Sequence, residues 1–440
     1  MSGEKFAVIE LFAGVGGFRL GLEGDLRKGK YYSPISDYKK AIINQGFFKT
    51  GYANQYEPGH KKQFAAKVYS DYYRDDVLDN TDVAKVDSEK IINSIEKSIG
   101  LREKIILVGG FPCQDYSVAN GLHTSKGLFG KKGVLWWEIH RILVELKDLN
   151  RQPEILLLEN VDRLLVSPAS QRGRDFAIML YTLSELGYNI EYKVINAAEY
   201  GFPQKRKRVF ILAYLRESPL DSSDKAHSNI RNEFSSLESE KLESIDLSFY
   251  TSDDLVSSLK NLEYSFHFKN SPFGNSGVCR NYKIYPFKEK SKIPENGKTL
   301  GDILKGGRTK IPDNYYVKES DLSKWKEYKS AKRILRIKPN GEEYYFSEGK
   351  MSLFDSRKKP SRTLITSEGG ASASRTKHLI KTSKGPRRLL PVELERLNMF
   401  PNNITQHAEV RDTERAFMMG NALVVGVVEK FRNLIISVYN

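Results

Sequence analysis

Two cysteines stand in this 440-residue chain, and their surroundings differ. Cys113 lies in IILVGGFPCQDYSVANG, where an apolar run closes on Gly109 and Gly110 and delivers Pro112, Cys113 and Gln114 into a polar loop. A cysteine in a core is ordinarily a small inert hydrophobe, whereas one in a polar loop at a strand's carboxyl end is placed for a thiolate to attack a substrate. A second apolar run, EILLLENVDRLL, closes on Glu159 and Asn160. A carboxyl group at that boundary is partly desolvated and suits proton donation near neutral pH, although a helix-capping or surface glutamate fits the same place. In YGFPQKRKRVFILAYL, Gln204 and four basic residues precede a third apolar run. Strand alternation puts Arg206 and Arg208 on one face, so that both can point into one cleft; a solvated basic surface is the plainer alternative.

Three further places suit a small polar ligand. FAVIELFAGVGGFRLG sets a strand before Gly14, Gly16 and Gly17, with Gly21 following in a helix. Glycine there permits a tight turn and close approach of backbone to ligand beside a helix N-terminus. It is not the dinucleotide fingerprint G-x-G-x-x-G, because Arg19 takes the last glycine position, and a tight turn without ligand fits as well. Glu57, in YANQYEPGHKKQFAAKVY, falls at an expected strand end, where a carboxylate can accept from ribose hydroxyls. Asp82, in NTDVAKV, can accept from an adenine amino group, or serve only as a turn residue.

The elements that must position these groups alternate. Short apolar, partly β-branched runs over 6–12, 104–111, 154–161, 188–197 and 208–215 predict buried strands. Helical spacing over 62–73, 88–99, 134–149 and 175–186 lies between them. That alternation implies an α/β fold with a mostly parallel sheet and helices on both faces. After residue 216 the chain turns to Ser, Lys, Asn and Tyr with short irregular apolar pieces; helical pattern returns at Leu390 and Pro391.

Lys and Arg number 70 against 55 Asp and Glu, a formal charge of +15, which favours a polyanionic partner without proving one. At 40% hydrophobic and 28% charged the chain has the composition of an ordinary globular protein. Two dissimilar, distant cysteines argue against a disulfide framework or a thiolate metal site and for a reducing compartment. The first residues do not read as a signal peptide, and no stretch is long and apolar enough to span a bilayer. A cytoplasmic protein with no membrane partner and no metal is expected.

The ordered set FAGVGGF, GGFPCQDYS, ENV, FPQKRKRVF, RRLLPVELERLNMFP and GNALVVGVV resembles the successive motifs of the bacterial DNA (cytosine-5)-methyltransferase family, found in restriction-modification systems. The resemblance covers the first half and the last 60 or so residues; the middle matches only in KKPSRTLITSEGG. It implies a Rossmann-like S-adenosylmethionine-dependent catalytic domain with a smaller inserted target-recognition domain. It implies that Cys113 is the nucleophile, that Glu159 holds and protonates cytosine at N3, and that Arg206 and Arg208 supply positive charge around base and thiolate. Gln114 and Ser117 would lie in a loop that closes on double-stranded DNA, with Asn160, Val161 and Gln204 on the substrate side. Phe12, Gly14, Gly16 and Gly17 would line the S-adenosylmethionine pocket, with Pro112, Glu57 and Asp82 contributing and Asn421 beside it.

Two departures from the family pattern stand out. About 40 residues separate the glycine cluster from Glu57, where a compact nucleotide unit has about 20, so residues 24–51 look like an insertion. The family's acidic residue directly follows an Asn, whereas here Gln55 follows Asn54. The organisation expected is a catalytic domain over 1–215, target recognition over 216–385, and C-terminal helices over 386–440 packing back onto the first domain. The function expected is methylation of cytosine carbon 5 in a short duplex sequence by a monomer, protecting DNA from a cognate restriction endonuclease. A catalytically silent DNA-binding protein on the same scaffold and an RNA cytosine methyltransferase are the alternatives; side-by-side assays on DNA and tRNA separate them.

Overall fold

The computed structural model describes residues 6–24, 46–100, 104–111, 134–222, 227–304, 311–337 and 341–440. In chain order its first half contains β1 (Phe6–Leu11), α1 (Gly17–Glu23), β2 (Phe48–Asn54), α2 (Phe64–Tyr73), β3 (Leu78–Asp79), α3 (Ser88–Ile99), β4 (Lys104–Gly110), α4 (Val134–Asp148), β5 (Ile155–Asn160), α5 (Arg174–Glu185), β6 (Tyr188–Asn196) and β7 (Lys207–Leu215). There follow α6 (Asn229–Glu233), β8 (Glu238–Lys241), β9 (Ile245–Asp246), α7 (Leu255–Ser265), β10 (Ser276–Arg280), β11 (Lys283–Lys290), α8 (Leu300–Leu304), α9 (Leu322–Lys329), β12 (Lys332–Ile337) and β13 (Glu343–Glu348). The last are β14 (Ile380–Thr382), β15 (Gly385–Arg387), α10 (Pro391–Leu397), α11 (Asp412–Asn421) and α12 (Val425–Tyr439).

The main sheet runs β3-β2-β1-β4-β5-β7-β6-β10-β11-β8, with β9 also on β11. Its first five strands are parallel; β7 is antiparallel to both β5 and β6. The sheet is therefore parallel over only half its width. The reason is the connection between β6 and β7, ten residues without an α-helix, too short for the crossover that parallel neighbours need. Strand order reverses direction between β1 and β4, and at such a switch point the carboxyl ends of the strands open a crevice.

The central strands are apolar on both faces because helices cover both. In β1, Phe6 and Val8 face one cluster with α1, α11 and α12, while Ala7, Ile9 and Leu11 face another with α3, α4 and α5. In β5 the same alternation places Ile155 and Leu157 on the first side, Leu156 and Leu158 on the second. Glu159 continues the first side at the strand's end.

The stretch expected as a separate lobe over 216–385 divides in the structure. β10 adds to β6 by antiparallel pairing, Val278 opposite Glu191 and Cys279 opposite Ile190, and β11, β8 and β9 follow outward. Residues 238–290 thus widen the main sheet. β12 and β13, which follow α9, stand apart from it as a separate two-stranded sheet. Cys279 is fully buried, its Sγ 3.6 Å from the Ser184 hydroxyl, and burial pushes its thiol up to about 12; it is an inert core thiol.

The C-terminal helices close the first face. Gly21 of α1 lies so near α12 that a Cβ there would sit 2.4 Å from the Val428 Cβ. Gly420 of α11 lies against the segment after Leu364: a Cβ there would meet the Thr366 amide nitrogen at 2.4 Å. Backbone cannot yield as a flexible side chain does, so Gly420→Ala should lower stability by about 1–3 kcal/mol in chemical denaturation. Gly349→Ala, whose Cβ meets nothing within 4 Å, should be near neutral; equal effects at the two positions would contradict this packing.

Candidate active site

The carboxyl ends of β4 and β5 and the start of β7 form one edge of the sheet. Register sets Gly110 beside Glu159 and Glu159 beside Phe210. Gly110 leaves room for the carboxylate, since a Cβ there would lie 3.1 Å from Glu159 Oε2. The Arg208 Nε meets Glu159 Oε1 at 2.8 Å, with the two side chains 18% and 12% exposed. Little water reaches the pair, and the guanidinium holds the carboxylate in one orientation.

Asn160, one residue on, is buried and fully engaged. Its Nδ2 donates to the Phe111 carbonyl at 3.1 Å and its Oδ1 accepts from the Val161 amide at 2.8 Å. The Phe111 carbonyl, at the last described residue before Pro112, is thus held to the end of β5. Pro112, Cys113, Gln114 and Ser117 lie outside the described residues.

Arg206 does not accompany Arg208 into a shared cleft. Its guanidinium is buried and donates to the carbonyls of Leu364 at 3.1 Å, Gly420 at 3.0 Å and Asn421 at 3.2 Å. The alternation argument fails because β7 begins only at Lys207; Arg206 belongs to a turn in which its amide donates to the Gln204 carbonyl. Burial, with Arg208 nearby, pushes the Arg206 guanidinium below its ordinary value, and Glu159 opposes that. Gln204, expected on the substrate side, is wholly buried: it donates to Asn398 Oδ1 at 2.7 Å and accepts from the Leu364 amide at 2.9 Å. Asn421 presents its carbonyl to Arg206 and its side chain to solvent.

Across the switch point, β1 runs into the glycine turn. Phe12, Gly14 and Gly16 all take positive φ, at 54°, 56° and 82°. Gly16 has no alternative: a Cβ would fall 2.3 Å from the Tyr73 hydroxyl, which donates to the Gly16 carbonyl at 2.9 Å. Beside Gly14 a Cβ would meet nothing within 4 Å, so the turn keeps open space on that side. The residue brought onto the turn from β2 is Gln55, whose Oε1 accepts from the Gly14 amide at 2.7 Å. Glu57 lies two residues further, its amide held by Gln63 Oε1 at 2.7 Å, and burial pushes its carboxyl above the ordinary value. No described hydrogen bond joins Glu57 to the turn; in this chain Gln55 occupies the place after Asn54. Asp82 accepts from the Ala84 amide at 3.1 Å, capping a short helical turn, and remains partly exposed.

One buried carboxyl escaped the reading of motifs. Glu10, inside the apolar strand FAVIEL, is fully buried; its Oε1 accepts from the Arg19 amide and its Oε2 from the Tyr69 hydroxyl, each at 3.1 Å. It thereby fixes the start of α1 against α2 behind the glycine turn. A lone carboxylate in an otherwise apolar run was the available signal. Asn398, also missed, carried none, since only the fold brings it to Gln204.

The class of protein follows from the fold. Similar solved structures include the Entamoeba histolytica methyltransferase EhMeth, at TM-score 0.56 and 14% identity over 99% of each chain, and the S. pombe Dnmt2 methyltransferase, at 0.56 and 14% over 99% of this chain and 100% of that one. These define the fold as that of an α/β methyltransferase. The family model for C-5 cytosine-specific DNA methylases matches residues 6–437, and the chain belongs to that family. It is 40% identical to the type II methyltransferase M.Sau3AI of Staphylococcus aureus over 98% of this chain and 95% of that one. With the type II methyltransferase M.SsoII of Shigella sonnei it shares 34% identity over 48% of this chain and 44% of the other. The protein is thus a DNA cytosine-5 methyltransferase, and methyltransferases generally draw on S-adenosylmethionine. No helix among the described residues is long and apolar enough to cross a membrane.

The Glu10 carboxyl is pushed up to about 7 by burial, against the lowering influence of the Arg19 amide and guanidinium. The native state therefore keeps a proton that the unfolded chain releases near 4.5. This group's contribution to stability falls as pH rises from about 4.5 to 7 and stays low above that, a change of roughly 3 kcal/mol. Glu10→Gln cannot ionise and removes that dependence. The stability of the variant relative to the native protein, from urea denaturation at a series of pH values, should climb through this window and then level. A difference independent of pH would show a carboxyl charged throughout.

Proposed function

We propose that the protein methylates carbon 5 of a cytosine within a short duplex DNA sequence, by way of a covalent bond between Cys113 and carbon 6 of a base turned out of the helix. The observation that carries this reading is the Glu159–Arg208 ion pair at the carboxyl end of β5, joined through Asn160 to Phe111, two residues before the thiol.

Carbon 5 of cytosine is a weak nucleophile until a thiolate adds to carbon 6 and makes the ring enamine-like. Cys113 supplies that thiolate. Glu159 binds the base at N3 and gives it a proton as electron density moves into the ring. Arg208 keeps the Glu159 carboxyl turned toward the base and stabilises developing negative charge. S-adenosylmethionine would supply the methyl group; Phe12, Gly14, Gly16, Gln55 and Asp82 would hold it, and the open side of Gly14 and the Gln55 side chain on the turn fit such a ligand. Once carbon 5 carries the methyl group, its proton passes to solvent, the Cys113 thiolate departs and Glu159 takes back the N3 proton, which restores the aromatic ring. Arg206 serves this chemistry from behind, as a positioning residue that ties the start of β7 to residues 364 and 420–421.

The base must leave the stack to reach the thiol, and a distorted duplex needs many phosphate contacts, for which the +15 charge is suited. The similarity to type II methyltransferases supports a role in protecting DNA from a restriction endonuclease of the same specificity; in this reading the protein acts as a monomer in the cytoplasm.

Cys113→Ala should lose turnover and keep DNA binding. A duplex with 5-fluorocytosine at the target should give a denaturation-resistant adduct whose linked peptide contains Cys113, because fluorine cannot leave as a proton does. Turnover by Cys113→Ala, or an adduct at another residue, would overturn the mechanism. The two arginines should separate: Arg208→Ala should lower kcat by roughly 10²–10³ with little change in melting temperature. Arg206→Ala, which leaves the buried carbonyls of Leu364 and Gly420 without this donor, should instead lower stability by about 2 kcal/mol or more. The reverse pattern, from turnover and melting measured side by side, would reassign the two.

A further inference from the structure

Gln55 follows β2 directly, and its polar atoms can be accounted for one by one. Its backbone amide donates to the Asp79 carbonyl at 3.1 Å, and its backbone carbonyl accepts from the side-chain amide of Asn80. Its Oε1 accepts from the Gly14 amide at 2.7 Å. A backbone N–H only donates, so the oxygen of the side-chain amide must face Gly14 and its NH2 must face elsewhere. That NH2 meets no acceptor among the described residues. Gln55 is only 7% exposed, and a donor so nearly buried is costly to leave unmatched.

The surroundings indicate what this donor serves. A Cβ beside Gly14 would meet nothing within 4 Å, so the turn stays open next to the residue that Gln55 holds. The end of β2 is also fixed in place, since Asn54 donates to the carbonyls of Asp79 at 3.1 Å and Thr81 at 2.8 Å. Gln55 is therefore a preset donor at the rim of the turn. A ribose hydroxyl brought there can supply the acceptor that it lacks.

The carboxyl groups of the same region are engaged elsewhere. Asp79 pairs with Lys90 at 2.7 Å and accepts from the hydroxyls of Tyr52 at 2.9 Å and Thr81 at 2.6 Å. Asp82 caps its short helical turn. Behind the glycine turn, Glu10 gives one oxygen to the Arg19 amide and the other to the Tyr69 hydroxyl. Among the described residues, no carboxylate hydrogen bonds to the glycine turn; the side chain that does so, Gln55, is neutral.

We infer that Gln55 sets how the cofactor pocket discriminates between S-adenosylmethionine and its demethylated product, S-adenosylhomocysteine, by offering the shared ribose a neutral donor in place of a carboxylate. The two ligands differ by one methyl group and by the positive charge of the sulfonium. A carboxylate at position 55 would attract that charge, and an amide does not. The product therefore competes with the methyl donor on nearly equal terms, so that methylation follows the ratio of the two. This rests on the reading of the protein as an S-adenosylmethionine-dependent enzyme.

The test is equilibrium binding of both ligands, by titration calorimetry without DNA, to the native protein, Gln55→Glu and Gln55→Ala at a pH of about 8, where a glutamate carries its charge. Melting of the ligand-free proteins checks that each variant is folded. The native protein should bind the two ligands within about fivefold of each other. Gln55→Glu should move the ratio of the two dissociation constants by about 5- to 20-fold in favour of S-adenosylmethionine, and the gain should shrink in about 1 M salt. Gln55→Ala should weaken both ligands by about 3- to 10-fold and leave their ratio unchanged. A ratio that Gln55→Glu does not move overturns the inference. So does a wider native preference for S-adenosylmethionine, or an alanine variant that binds both ligands as tightly as the native protein. A native protein that binds neither ligand brings down the enzymatic reading itself, a result distinct from binding that ignores residue 55.

Discussion

A buried polar knot centred on Gln204 joins stretches of chain that are far apart in sequence, and the active edge depends on it. Gln204 bonds Asn398 and the Leu364 amide; Asn398 donates onward to the Met419 carbonyl at 2.8 Å; Arg206 gathers the carbonyls of residues 364, 420 and 421. Gln204, Asn398, Arg206 and Leu364 are buried, and a buried polar group that loses its partner costs about 1–3 kcal/mol. The knot is therefore satisfied in nearly one arrangement only, and that arrangement sets where β7 begins. Where β7 begins sets which arginine is free to face Glu159.

The two arginines of one short basic run consequently do different physical work. Arg208 sits at the strand's first inward position, its side chain 18% exposed, and meets the Glu159 carboxylate. Arg206 exchanges its hydration for backbone carbonyls, which suits a guanidinium because its planar fork can satisfy several acceptors at once. A lysine, with donors clustered on one nitrogen, could not span three separate carbonyls in that way.

Residue types and order made much of this legible. Strands β1, β4, β5 and β7 read as such because a strand buried on both faces must be apolar throughout, and Glu159 and Arg208 stood out as charges at the ends of those runs. β2 was harder: FKTGYAN carries Gly51, which occupies a register shift opposite β1 and packs against Ile95. β10 looked irregular because the strand that seats it, β6, lies far off in sequence, and β11 joins the sheet only by folding back onto β10. The assignment of Arg206 failed where local periodicity was extended one residue beyond the strand that produces it. Glu57 drew attention by type, yet it is Gln55 that reaches the glycine turn, a fact set by how β2 ends. The thiol was recognised by its neighbours in sequence alone.

The contact between the first strand and the last helix has a temporal consequence. Phe6 of β1 stacks edge-on against Tyr439 at 5.1 Å, and α12 covers the apolar side of β1, α1 and β7. During synthesis at roughly 5–20 residues per second, the earliest strand must wait on the order of half a minute for its cover to leave the ribosome. Until then one side of the central sheet stays wet, and the nascent chain has every reason to bind a chaperone there. The central sheet is thus closed only once α12 has emerged, so a copy lacking that helix has no completed frame with which to mark DNA.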